Sequence, residues 1–431
     1  MIKNEKNNRK KNIIFWAMIA SMVLGYMPWY NFSALLGYIA KEYALSSSDT
    51  GAILSSFQVG YVVIVGVTGW LADKISLKKI IFWATLLTGI SAMVFVWLAN
   101  GRNSILILRL LTGLSAGAIY VPGMTLLSRW FPPEERGKAL GAYTGALVAS
   151  YAGGYVVASW IASFGGWRAG IIWTSIPALI AAVIIWVFVE DRDIDPEIPK
   201  ADSPDPPDQK DFQQLAAPSG GFAGPNIITA GYVGHMWELY AFWGWIGPFL
   251  VASAMATGMS SMDAINWGGT FAAGIILIGA PASWIWGKMA DRLGRTKSIF
   301  IAGSFSAVAE FFLGYLFGHS LAVILIFSAW IGFWVIADSA IFKAGLTEMI
   351  NPRYHGTFLG LQSLIGFGVT ILSPFIFGRI LEIYNGAVPP TEATIWGPGF
   401  LMLGLGGLLA PLSMIFLRKH KQSVLMAGGK K

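Results

Sequence analysis

His235 and Glu238 stand three residues apart in His235-Met-Trp237-Glu238-Leu-Tyr240, within a stretch from 226 to 252 that has no other Asp, Glu, Lys, Arg or His. On a helix, that spacing puts both on one face. At 1.5 Å per residue they lie about 14 to 18 Å from its start, near the middle of a bilayer crossing. A histidine beside a glutamate exchanges protons near neutral pH, as a proton-coupled cycle requires; the plain alternative is a satisfied buried hydrogen-bonded pair. Asp338 shares a helical face with Trp330 and Trp334 at intervals of four. It reads as a second proton site, a ligand for a cationic group, or a partner for Lys343, although five residues is a poor helical pairing. Arg109 begins a stripe with Gly113, Ala116 and Tyr120. Its planar fork suits a carboxylate, on a solute or on another helix. Tyr26, Tyr30, Asn31, Gln58, Trp237, Tyr240 and Trp334 are further candidates for lining a cavity. Glu310, with Ser306 and Gly314 at intervals of four, reads as a structural residue facing a neighbouring helix. Arg379 and Glu382 read as an interfacial pair or an outer gate.

The elements that carry these residues are unusually apolar. Of 431 residues, 55% are hydrophobic and 12% charged, against roughly 25% charged in soluble domains. Runs such as Ile13 to Ala40, Thr50 to Ala72 and Ala169 to Val189 contain no Asp, Glu, Lys or Arg. Crossing a hydrocarbon core takes about 20 helical residues, whereas barrel strands alternate over about 10. Twelve helical spans are expected: 13–36, 50–72, 80–100, 104–128, 139–163, 169–189, 226–252, 264–287, 298–318, 321–345, 357–381 and 396–417. The basic start leads into an apolar run too long for a cleaved export signal and reads as the first span. With the N-terminus inside, 24 Lys and Arg fall on the cytoplasmic side and 3 on the other. Both termini are therefore expected in the cytoplasm. The same bias accounts for the formal charge of +7 without nucleic acid. Cysteine is absent.

Between spans six and seven, residues 190–225 hold nine acidic residues and prolines at 196, 199, 204, 206 and 207. Such a segment reads as a solvated cytoplasmic linker between bundles at 1–189 and 226–431. These halves repeat. Gly69-Trp-Leu-Ala-Asp73-Lys74 matches Gly287-Lys-Met-Ala-Asp291-Arg292 at an offset of 218, and the segment Pro133 to Gly141 matches Pro352 to Gly360 at 219. Internal repeats of this kind mark secondary transporters, in which one half rocks against the other. Position 328, opposite Arg109 in the repeat, is serine, so the scaffold does not demand that charge.

Gly287-x-x-x-Asp291-Arg292-x-Gly294-Arg295-x-Lys297 resembles the cytoplasmic loop motif of the major facilitator superfamily. The first copy departs from it at Ser76 and Leu77. Arg109-Leu-Leu-Thr-Gly113-Leu-Ser-Ala-Gly117 is similar to the family's second motif. Trp130 to Gly137 and Gly166-Trp167-Arg168 resemble loops of its bacterial organic-anion members. The resemblance implies an all-α polytopic fold of two pseudo-symmetric six-helix bundles, a cavity lined by spans one, four, seven and ten, and cytoplasmic latches built from Gly69, Asp73, Lys74, Gly287, Asp291, Arg292, Gly294 and Arg295. Ala149 to Gly154 lacks the Gly-Pro of the drug antiporters, which demotes multidrug export.

No phosphate loop, nucleophile elbow or metal-ligand cluster is present. An enzyme is not expected, nor a cofactor or metal, and transport must run on a gradient. The leading expectation is import of a small organic anion with protons, with Glu238, His235 and Asp338 carrying the proton, by a monomer in the cell inner membrane. The alternatives are a proton-independent facilitator or exchanger, a drug-type exporter, and a membrane sensor on a carrier fold.

Overall fold

The computed structural model describes residues 2–71, 75–192, 221–351 and 354–430. Ten helices in this range are long and apolar enough to cross a membrane. One of them, Pro133–Phe188, is two spans: Gly166 takes φ 74° and ψ 170°, outside the helical region, and the chain turns back there. Glycine reaches that conformation without a Cβ clash. The tenth and eleventh spans are each divided, into Leu321–Ala337 with Ser339–Glu348 and His355–Val369 with Leu372–Asn385. With the first span the total is the expected twelve.

The first span departs from its expected continuity over 13–36. It is helical over Ile2–Gly25, turns at residues 26–30, and resumes as Asn31–Ala34 and Leu36–Glu42. Pro28 supplies the reason, because a prolyl nitrogen donates no hydrogen bond and its ring displaces the preceding turn. Non-helical backbone at this depth survives only where protein satisfies its carbonyls.

Large apolar side chains cover the outward faces. Trp16, Trp97, Trp160 and Trp284 are each at least 60% exposed, as expected where lipid is the solvent. Inside, small residues bring helices together: a Cβ on Gly117 of span four (Arg102–Trp130) would stand 2.6 Å from the Tyr61 carbonyl of span two (Ser47–Leu71). Such close approach is the packing mode of membrane helices.

Packing groups the chain into two compact units. One combines the first six spans with Gly244–Leu277 and Pro374–Thr394; the other holds the rest of the seventh span up to Trp243, Ile278–Ser373 and the residues from Ile395 onward. Of the expected linker, residues 193–220 lie outside the described residues. Its first residues are anchored: Glu190 pairs with Lys10, and the Trp130 indole donates to the Glu190 carbonyl at 2.9 Å.

Candidate functional site

The break in the first span builds the first cluster. It frees the carbonyls of Pro28 and Trp29, and Arg109 answers both: Nη1 donates to Pro28 O at 3.1 Å and Nη2 to Trp29 O at 2.9 Å. The guanidinium carbon lies 4.5 Å from the Phe57 ring centre and 5.0 Å from that of Phe32, within cation–π range. Arg109 is 4% exposed, its Nε has no acceptor, and no carboxylate of the described residues pairs with it. Neutral carbonyls and rings solvate this charge without cancelling it.

Around it the aromatic candidates are load points of the packing. Tyr26 Oη donates to Ala116 O at 2.7 Å and accepts from Tyr120 N at 3.1 Å, tying the broken span to span four. Tyr120 Oη meets Thr144 Oγ1 at 2.9 Å. Tyr30 stacks on Tyr155 with ring centres 5.8 Å apart. Asn31 Nδ2 donates to Thr174 Oγ1 at 2.8 Å, while its Oδ1 is unpartnered. Gln58 is buried in the same unit.

The second cluster lies on the seventh span, Ala223–Ala256, and divides what the spacing had joined. His235 does not pair with Glu238. Its Nδ1 donates to Asp338 Oδ1 at 2.9 Å, with both side chains buried and Nε2 unpartnered. Asp338 sits where the tenth span breaks, its carbonyl accepting from Ile341 N and Phe342 N, so the helix interruption presents the carboxyl to the seventh span. The expected alternative partner, Lys343, is not the one chosen. Tyr232 and Phe342 flank the imidazole, with ring centres 5.7 and 5.6 Å away. Glu238 turns instead toward spans nine (Arg295–Leu313) and twelve (Gly397–Gly407 and Leu409–Lys419), where the Ser306 hydroxyl donates to it.

Trp237 lies against Gly406 with its Nε1 unpartnered, and Tyr240 packs edge-on to Phe367 at 5.6 Å. Trp334 stands apart from this cluster. It packs among Trp286, Phe305, Trp330 and Phe333, near the half-exposed Trp330. Helical periodicity put it on the Asp338 face, but its ring packs among these aromatic side chains instead.

The complete latch motif ties parts of the second half together. Arg295 Nη1 donates to Asp291 Oδ1 at 2.6 Å and Nη2 to Glu348 Oε1 at 2.7 Å, while Glu348 Oε2 accepts from Ala427 N at 2.9 Å. Gly294 makes the turn at φ 89°, Gly287 precedes it on span eight (Ser261–Leu293), and Arg292 is exposed. Glu348 had no sequence signal beyond its place at a span end. In the first copy Gly69 ends span two, while Asp73 and Lys74 lie outside the described residues. The departing Ser76 caps span three, Leu77–Leu98, accepting from Lys79 N at 3.1 Å and bonding Asp191.

At the opposite ends, Arg379 lies 3.6 Å from Glu382, and Glu382 Oε2 accepts from Ser48 N at 3.2 Å in the first turn of span two. Ser47 N donates to Val388 O at 3.0 Å, and a Cβ on Gly51 would stand 2.7 Å from Pro374 O.

The sequence profile of the Major Facilitator Superfamily matches residues 18–283. The chain belongs to this superfamily. It is a multi-pass membrane transporter of all-α architecture. Among facilitator proteins it is similar to the hexuronate transporter of Bacillus subtilis, 24% identical over 94% of both chains. It is also similar to the 4-hydroxybenzoate transporter of Pseudomonas putida, 27% identical over 82% of both. The fold matches that of a bacterial homologue of the human lysosomal transporter Spinster, solved inward-facing and unoccupied, with TM-score 0.74, 14% identity and coverage of 95% of this chain and 96% of that one. Both relatives are named for organic carboxylates, in line with the loop motifs at Trp130 to Gly137 and Gly166 to Arg168.

Proposed function

We propose that this facilitator imports a small organic anion bearing a carboxylate, together with protons, by alternating access of the halves at 1–189 and 226–431 about the 190–225 linker. The observation that carries the reading is Arg109: a buried guanidinium, beside the break in the first span, with no carboxylate among the described residues to neutralise it. Two opposite unit charges 4 Å apart attract by about 4 kcal/mol at an effective dielectric of 20. A solute carboxylate is the complement that the protein itself withholds. Tyr30, Asn31 and Gln58 supply the surrounding polar contacts. The named solutes of the two similar transporters support the chemical class.

On the second half, His235, Asp338 and Glu238 are the groups that carry the proton. Asp338 holds the imidazole by Nδ1 and leaves Nε2 as the atom that gains or loses it. Each charge moving through 100 mV gains about 2.3 kcal/mol, enough to concentrate a solute about fifty-fold. Both termini face the cytoplasm in this reading, and the monomer in the inner membrane is the working unit.

Purified protein in liposomes tests it. Uptake of labelled hexuronates and hydroxybenzoates is expected to rise when the lumen is made alkaline relative to the bath, and Arg109→Lys is expected to weaken it. Equal accumulation with and without the pH gradient identifies a facilitator and overturns the coupled reading.

A further inference from the structure

Span nine begins where span twelve ends, and a cleft of about 670 Å³ opens between the start of Arg295–Leu313 and the end of Leu409–Lys419. Its mouth is cationic: Lys297, Arg418 and Lys419 line it, and all three are exposed. Arg418 Nη1 donates to Thr296 Oγ1 at 3.3 Å, which seats that side chain across the two helix ends. One turn further in, the lining becomes apolar on both helices. Phe300 follows Lys297 by three residues, Ile415 precedes Arg418 by three, and each is 40% exposed. The cleft therefore joins a charged mouth to an oily wall that faces the lipid.

The first half repeats this pair of helix ends and closes it. At the repeat offset of 218, Lys79 on span three stands where Lys297 stands on span nine. Span six, however, runs out into Glu190 and Asp191, whereas span twelve runs out into Arg418 and Lys419. Asp191 accepts from the Ser76 hydroxyl, and from Lys78 N at 2.9 Å, while Glu190 pairs with Lys10. Lys78 Nζ lies 5.2 Å from the centre of the Trp186 ring, which packs 4.8 Å from that of Phe82. Carboxylates and aromatic rings of the chain itself thus complete the first half. In the second, Asp291 and Glu348 are taken up by Arg295, and among the described residues no carboxylate forms an ion pair with Lys297 or Lys419. Their complement has to come from outside the chain.

We propose that the cleft between spans nine and twelve binds an anionic phospholipid, its phosphodiester held by Lys297, Arg418 and Lys419 and an acyl chain lying along Phe300 and Ile415. Basic pockets between membrane helices suit such headgroups. The arginine fork meets two phosphate oxygens at once, and the lysines add point charges. A soluble phosphate would satisfy the mouth and leave the apolar wall uncovered, whereas a lipid covers both. The site stands whether or not transport is coupled to protons.

Native mass spectrometry of the full chain, released from nanodiscs holding equal mole fractions of phosphatidylglycerol and phosphatidylcholine, counts the lipids that stay bound. The wild type is expected to retain phosphatidylglycerol in preference to phosphatidylcholine, a reading that needs no variant. Lys297→Gln and Lys419→Gln, both at exposed positions, are each expected to lower that retention about fivefold, the effect of one basic residue on attraction to an anionic lipid. Lys79→Gln, at the matching place in the first half, is expected to leave it unchanged, which separates a built site from general surface charge. Equal retention of the two lipids by the wild type, indifference to both substitutions in the cleft, or an equal loss in Lys79→Gln overturns the proposal. Displacement of the lipid by inorganic phosphate, but not by chloride at the same ionic strength, would identify a soluble-anion site and overturn the assignment to a lipid.

Discussion

Arg109 has two duties, and substitution separates them. Arg109→Ala leaves the Pro28 and Trp29 carbonyls without their donors, at a cost of about 1–3 kcal/mol for each unsatisfied group. Apparent melting temperature and uptake are therefore expected to fall together. Arg109→Lys keeps the charge without the fork. Fold and melting temperature should then persist while the KM for the anion rises about tenfold; a KM unchanged from wild type would make Arg109 a purely structural residue. Glu238→Gln addresses the other half. Accumulation driven by a pH gradient should be lost, while exchange of labelled for unlabelled solute continues, because exchange needs no net proton movement. Surviving gradient-driven accumulation would remove Glu238 from the proton path.

Broken helices put the chemistry where continuous ones would hide it. The first span breaks at residues 26–30 beside Arg109, and the tenth breaks at Asp338 beside His235. Unwound segments of this kind expose main-chain and side-chain polar groups at depth in transporters. Close backbone approach has a different use at the start of span two, where Gly51 meets Pro374 and Gly378 and Ser48 is capped by Glu382. Gly51→Leu cannot be accommodated there. Because the chain has no native cysteine, Ser47→Cys reports on this contact cleanly. Ser47 is fully buried, so impermeant maleimide is expected to label it slowly alone and several-fold faster with Gly51→Leu. Equal labelling would show that the contact is not what buries Ser47.

At the scale of the whole molecule, the charged ends add small increments. The Arg168 fork donates to both Glu42 carboxyl oxygens, at 2.6 and 3.0 Å, and the Trp167 indole adds a third hydrogen bond at 2.6 Å. These bonds, Arg168 foremost, hold the Glu42 carboxyl below its ordinary range. A carboxyl titrating lower in the folded chain than in the unfolded one stabilises the fold at neutral pH and ceases to do so as pH falls through its folded value. The difference in melting temperature between wild type and Arg168→Ala is therefore expected to be small at neutral pH, as both side chains are well exposed, and to vanish in acid. A difference that persists there would assign it to the packing of Arg168 on Trp167 instead.

Much of this organisation is written locally along the chain. About 20 apolar residues must cross a bilayer whatever their neighbours are, so the number of spans is legible from the charge-free runs, while the break in the first is signalled only by Pro28 inside such a run. The second latch was equally legible, since Asp291 and Arg295 are one helical turn apart. Partner choice was not. His235 and Glu238 share a face, yet His235 takes Asp338, 103 residues away in the chain, because the tenth span breaks there and delivers the carboxyl. Glu238 lies instead against Gly407, which has no side chain to exclude it. Spacing along a helix determines which side chains can act together. Only the packing of other helices, each bringing a gap, a break or a charge from far along the chain, decides which of them do.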